Sequence, residues 1–164
     1  MNVDFVTAIK MYLANYANFH GRSTRAEFWW AMLFVFIVGC VAKFLGQWVS
    51  GIVTLALIIP NLAILVRRFH DIGKSGWWVL GIWVLEIIGC CFIFGALGTA
   101  ILHASESNPE ELINSISSNW GTLSIGYIIV FAGAIWQLVW CCKASGPDNR
   151  YGINPYGEIP SIKE

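Results

Sequence analysis

Four apolar runs, at 28–48, 52–66, 77–102 and 120–142, sweep nearly all charge into the segments between them. At 1.5 Å per residue, the first run makes a helix about 31 Å long, which matches the roughly 30 Å hydrocarbon core of a bilayer. Only 12% of the chain is charged and 57% is hydrophobic, with a mean hydropathy of +0.63. Soluble domains carry roughly 25% charged residues. A water-soluble fold from this chain would therefore expose large apolar areas. The expected class is all-α: a four-span helical membrane bundle with an N-terminal interfacial amphipathic helix. The membrane domain covers 1–142 and a polar tail follows at 143–164.

Within that plan, Phe5, Ile9, Tyr12, Tyr16 and Phe19 form a helical stripe over about 3–19. The stripe either lies in the interface or packs on the spans. The start lacks the basic, apolar and small-residue succession of a signal peptide. Ser23 or Thr24 caps the next helix, with Glu27 in its first turn. Lys43, inside the first span, is expected to snorkel to the far boundary. Residues 46–51 read as a tight turn. The second span is short, and Pro60 removes a donor and crowds the Ala56 carbonyl; a re-entrant loop is the alternative. The segment 103–119 holds Glu106, Glu110 and Glu111, and Asn108 before Pro109 marks the start of a short surface helix. The five cysteines lie in or beside apolar runs without metal-ligand spacing, as small packing residues.

Nine of the ten lysines and arginines lie outside the spans. Lys10, Arg22 and Arg25 precede the first; Arg67, Arg68 and Lys74 fill the middle segment; Lys143, Arg150 and Lys163 follow the last. The two opposite loops have none. By the positive-inside rule, both termini and the middle segment of this multi-pass chain are expected in the cytoplasm.

Three polar motifs then share one membrane face: GRSTRAEFWW from Gly21, RRFHDIGKSGWW from Arg67 and GPDNRYGINPYG from Gly146. In the middle motif, GKS imitates the end of a phosphate-binding P-loop. That loop needs a glycine five residues before Gly73, where this chain has Arg68, and a preceding strand. His70 beside Asp71 is too small a set for a metal site.

On these residues the chain resembles the small bacterial inner-membrane proteins grouped as domain of unknown function 805. The likeness rests on Gly21, Arg22, Arg25, Glu27, Phe28 and Trp29; on Pro60 with Arg67, Arg68, His70, Asp71, Gly73, Lys74, Ser75, Gly76, Trp77 and Trp78; and on Asn149, Arg150, Tyr151, Gly152 and Pro155. Phe69, where the family more often has leucine, and the long acidic loop depart from it. The resemblance implies a four-span inner-membrane fold and no particular activity.

The charged motifs support two readings. Arg22, Arg25, Arg67, Arg68, Lys74, Ser75 and Arg150 can hold an anionic headgroup, helped by a nest of backbone amides at Gly73 to Gly76. Alternatively Glu27, His70, Asp71, Asp148 and Asn149 tie the arginines into an internal latch. Inside the bilayer, Glu86, Asn61 and Gln137 fall at similar depth, where a neutral Glu86 can hydrogen-bond to either amide. The expected role is a non-catalytic accessory or binding protein. A small-solute or proton transporter using Glu86, and a membrane-bound enzyme using His70 and Asp71, are the alternatives. Membrane lipids are the expected partners, a protein partner or second copy stays open, and no nucleic acid, cofactor or metal is expected.

Overall fold

The structure, a computed structural model, describes residues 3–104 and 109–156, with side chains outside 103–112. The described residues form helices and no strand: α1 (Phe5–Ala14), α2 (Arg25–Phe44), α3 (Gln47–Asp71), α4 (Trp77–Ala104), α5 (Pro109–Ser118) and α6 (Trp120–Cys142). Four of them, α2, α3, α4 and α6, are long and apolar enough to cross a membrane. The chain divides into two compact units, one of Met1–Val79 with Trp140–Glu164 and one of Leu80–Val139. Asn108, Glu106 and Lys163, named above, lie outside the described residues.

In the first unit, α1 packs on α2 and α3. Its buried stripe includes Ala8 and Tyr12, and Phe5 meets Trp30 edge-on at 5.7 Å. The helix is shorter than the expected 3–19. It ends at Ala14: the Asn15 N–H makes the last helical bond, to the Met11 carbonyl at 3.0 Å, and the Asn15 side-chain amide donates to the same carbonyl at 2.9 Å. Thr24 caps α2: its Oγ1 accepts the Glu27 N–H at 3.1 Å, so this helix begins at Arg25, three residues before the apolar run.

The second span departs most from expectation. The turn assigned to 46–51 contracts to Leu45 and Gly46, the latter with φ 119°, a conformation that favours glycine. From there α3 runs unbroken for 25 residues to Asp71. Arg67, Arg68, His70 and Asp71 are therefore helical, and the connection to α4 is only Ile72 to Gly76. That end is closed by Gly73, φ +74°. Gly73 N–H donates to the His70 carbonyl at 3.0 Å and Lys74 N–H to that of Phe69 at 2.9 Å, the paired bonds of a Schellman cap.

Pro60 sits inside α3 without ending it. Its ring nitrogen gives the Ala56 carbonyl no donor, and the Tyr16 hydroxyl, from the segment after α1, donates to that carbonyl instead. One turn further on, Tyr12 Oη donates to Asn61 Oδ1 at 2.8 Å. Burial raises the Tyr12 pKa, with the neighbouring Tyr16 adding to the effect, so its phenol keeps the proton that bond requires.

In the second unit, α4 and α6 approach at Gly89 and Gly126. A Cβ on Gly89 would stand 2.7 Å from Val130 Cγ2 and 3.0 Å from the Gly126 carbonyl oxygen. Small residues permit this contact where lipid offers no hydrophobic drive between helices.

Replacing Tyr16→Phe should leave the Ala56 carbonyl without a donor and cost about 1–3 kcal/mol, read as unfolding in mixed micelles. In a Pro60→Ala background, where the helix regains its own N–H, the same change should cost much less. Equal costs in the two backgrounds would show that the hydroxyl does not replace the missing donor.

Candidate functional site

At one end of the first unit, the segment before α2, the end of α3 and the tail after α6 meet through backbone bonds. Ser23 N–H donates to the Arg67 carbonyl at 3.1 Å, and Gly146 N–H donates to the Asp71 carbonyl at 2.9 Å. These contacts bring side chains from all three polar motifs into one junction.

Asp71, 0% exposed, is its centre. Oδ1 accepts Arg22 Nε at 3.0 Å. Oδ2 accepts Arg68 Nη1 and Ser145 Oγ at 2.5 Å. Arg22 extends the junction to the tail: its Nη1 donates to the carbonyls of Pro147 at 2.9 Å and Gly152 at 3.1 Å. Its Nη2 reaches the carbonyls of Asp71 at 3.1 Å and Gly146 at 2.6 Å. Arg68 faces the last turn of α6, donating through Nε to the Cys141 carbonyl at 3.0 Å and through Nη2 to that of Lys143. Its Nη1 also reaches the Ser23 carbonyl at 3.3 Å. A cation is favoured there, since the carbonyl end of a helix carries partial negative charge.

A second buried pair lies beside the first. Arg67 Nη1 donates to Glu27 Oε1 at 3.0 Å. His70 stacks flat on Tyr151, ring centroids 3.7 Å apart. Its Nδ1 is 3.3 Å from the Gly21 carbonyl oxygen, an acceptor that fixes the ring proton on Nδ1. Asn149 holds the same residue by donating Nδ2–H to the His70 carbonyl at 3.0 Å. Arg150 donates to the Tyr151 hydroxyl at 2.6 Å, with its guanidinium 4.8 Å from that ring.

The expected anion-binding set is thus divided. Arg22, Arg67 and Arg68 are turned inward, their side chains 3%, 4% and 0% exposed. Arg25, Lys74 and Arg150 are exposed, as is Lys143; Lys74 Nζ lies 5.5 Å from the Trp140 ring centre. The amide nest does not form as expected, because the Gly73 and Lys74 N–H groups close α3. Ser75 Oγ instead accepts the Trp77 N–H at 3.4 Å, at the start of α4. Among the described residues Asp148 pairs with no arginine; its Oδ1 accepts the Asn154 N–H at 2.6 Å, a local turn typical of aspartate.

The intramembrane residues fall in both units. Asn61 is held by Tyr12 in the first unit, whereas Glu86 and Gln137 belong to the second. There Glu86 Cγ would be 3.2 Å from a Cβ on Gly133, and Gln137 Oε1 is buried with no hydrogen-bond partner among the described residues. Among those residues, no three of His, Cys, Asp and Glu gather as metal ligands. Sequence reasoning missed Ser145 and the carbonyl acceptors. Backbone oxygens carry no residue-type signal, and one serine in a Gly- and Pro-rich tail carries little.

A family model described as a protein of unknown function, DUF805, matches residues 16–153, a stretch that holds every member of the junction. The chain belongs to the DUF805 family. Among relatives of this DUF805 chain, inner membrane protein YhaH of Escherichia coli K12 is 36% identical over 92 residues, covering 49% of this chain and 75% of YhaH. Inner membrane protein YhaI of the same strain is 39% identical over 75 residues, covering 42% of this chain and 64% of YhaI. No solved structure matches.

Asp71→Asn should leave two buried guanidinium groups short of their shared counter-charge and cost about 3–5 kcal/mol. Unfolding in micelles and proteolysis within the tail, at 146–152, are the readouts. Asp148→Asn keeps an oxygen for the Asn154 N–H and should change both very little.

Proposed function

We propose that this DUF805 chain is a non-catalytic accessory protein of the bacterial inner membrane that holds anionic lipid headgroups at the cytoplasmic leaflet. Arg25, Lys74, Lys143 and Arg150 form the binding rim. The observation that carries this reading is the division of the cations: three arginines are buried in internal contacts, while four cations remain exposed at the same helix ends.

Exposed Trp29, Trp30, Trp77 and Trp78 accompany those cations, and tryptophan settles at the boundary between hydrocarbon and headgroups. Lysines and arginines just beyond membrane spans attract anionic lipids, each contributing about 1 kcal/mol near the surface. The non-catalytic part of the reading is supported by the engagement of Asp71 with two arginines and a serine, and by the Tyr151 ring lying over His70. The cytoplasmic placement follows from the bias of basic residues toward the termini and the α3–α4 connection.

Native mass spectrometry of protein released from membranes of mixed phosphatidylglycerol and phosphatidylethanolamine tests the rim. Phosphatidylglycerol should be retained preferentially, and the combined Arg25→Gln, Lys74→Gln, Lys143→Gln and Arg150→Gln variant should lose that preference while keeping its unfolding midpoint. Unchanged retention in the variant would overturn the reading, as would a C-terminal reporter fusion active only in the periplasm.

A further inference from the structure

Arg67 is the one guanidinium of the junction that is buried yet incompletely bonded. Its side chain is 4% exposed and its Nη1 donates to Glu27. Its Nε and Nη2 are buried with no hydrogen-bond partner among the described residues, and the same holds for Ser23 Oγ. Unpaired buried donors are unfavourable, and more so on a charged group. The two nitrogens are not an arbitrary pair. Nε–H and the adjacent Nη2–H lie parallel along one edge of the guanidinium, the fork that grips two oxygens of a carboxylate or phosphate.

Ser23 is joined to Arg67 through the backbone. It is 0% exposed, its N–H donates to the Arg67 carbonyl, and it immediately precedes Thr24, the cap of the helix that carries Glu27. Charge points the same way. Among the described residues, the side chains of Arg22, Arg67 and Arg68 are buried against two buried carboxylates, Asp71 and Glu27. Carbonyls offset part of the excess at Arg22 and Arg68, whereas Arg67 has a single bond to a single carboxylate.

We propose that Arg67 and Ser23 form an enclosed site for a phosphate group, separate from the exposed rim. The fork takes two phosphate oxygens through Nε and Nη2, and a third oxygen remains for the Ser23 hydroxyl. A carboxylate would use both of its oxygens on the fork. Arg67 lies one turn before the end of α3, about 6 Å along the axis from Asp71. That distance is comparable to the thickness of one headgroup layer, a depth open to the phosphate of a lipid and to a free phosphate ion alike.

The test uses the full-length protein in nanodiscs, with the unfolding midpoint as readout and ionic strength held constant. In phosphatidylcholine nanodiscs, inorganic phosphate is titrated against acetate; in a second arm, phosphatidic acid replaces part of the phosphatidylcholine with no phosphate added. The site predicts a saturable rise in midpoint with phosphate, with phosphatidic acid, or with both, and no rise with acetate. A rise only with phosphatidic acid assigns the site to a lipid phosphomonoester; a rise with inorganic phosphate assigns it to the soluble ion.

Arg67→Lys keeps the charge opposite Glu27 but loses the fork and should abolish the rise. Ser23→Ala removes one hydroxyl, a milder change to folding, and should weaken the apparent affinity about tenfold. No rise in either arm, an equal rise with acetate, or an undiminished rise in both variants would overturn the proposal and leave ordinary buried water as the partner of these groups.

Discussion

One carboxylate has to neutralise two arginines from different parts of the chain, and the first unit is arranged around that demand. Asp71 stands at the last helical position of α3, where it takes Arg68 from its own helix and Arg22 from the segment before α2. Neither arginine is satisfied by Asp71 alone. The remaining guanidinium hydrogens must find acceptors, and the acceptors within reach are carbonyls at the end of α6 and in the tail. A buried ion pair contributes little net stability by itself, because desolvation offsets much of the attraction. What this one adds is position: three separated stretches of chain must be in place together before either charge is tolerated.

The division between inward and outward cations follows from helix geometry. Arg67 and Arg68 are adjacent, so their side chains leave α3 about 100° apart, one toward Glu27 and the other toward Asp71 and α6. Lys74 comes after the helix has closed, and Arg25 comes before the first turn of α2 is packed. Both remain outside. Charge type also matters: the planar guanidinium has enough donors to bond a carboxylate and several carbonyls at once, and all three buried cations are arginines.

Much of the helical plan is legible in the sequence because it depends on long apolar runs: α6 covers the run 120–142, and α4 starts with its run at Trp77 and ends two residues beyond it, at Ala104. The second span is longer than its apolar run for a specific reason. Charge at Arg67 and Arg68 reads as the end of a helix, whereas partners elsewhere in the chain allow those arginines to stay helical and buried. The residue types of the junction were visible too, since Arg22, Arg68 and Asp71 all stood in the charged motifs. Their pairing was not, because it is set by carbonyl positions and by a Schellman turn that uses the very amides expected to hold an anion. The partner of Asn61 is not legible for a similar reason: Tyr12 lies 49 positions away on a helix whose stripe is equally compatible with packing and with the interface.

The tyrosine bonded to the Ala56 carbonyl has a consequence for how such a protein is made. Proline normally leaves a transmembrane helix with a bare oxygen until a neighbouring helix arrives. Here the substitute donor comes from chain that leaves the ribosome well before Pro60 does. A defect in the middle of the span is thus answered by an earlier part of the same polypeptide, whereas the charges at its end wait for the last one.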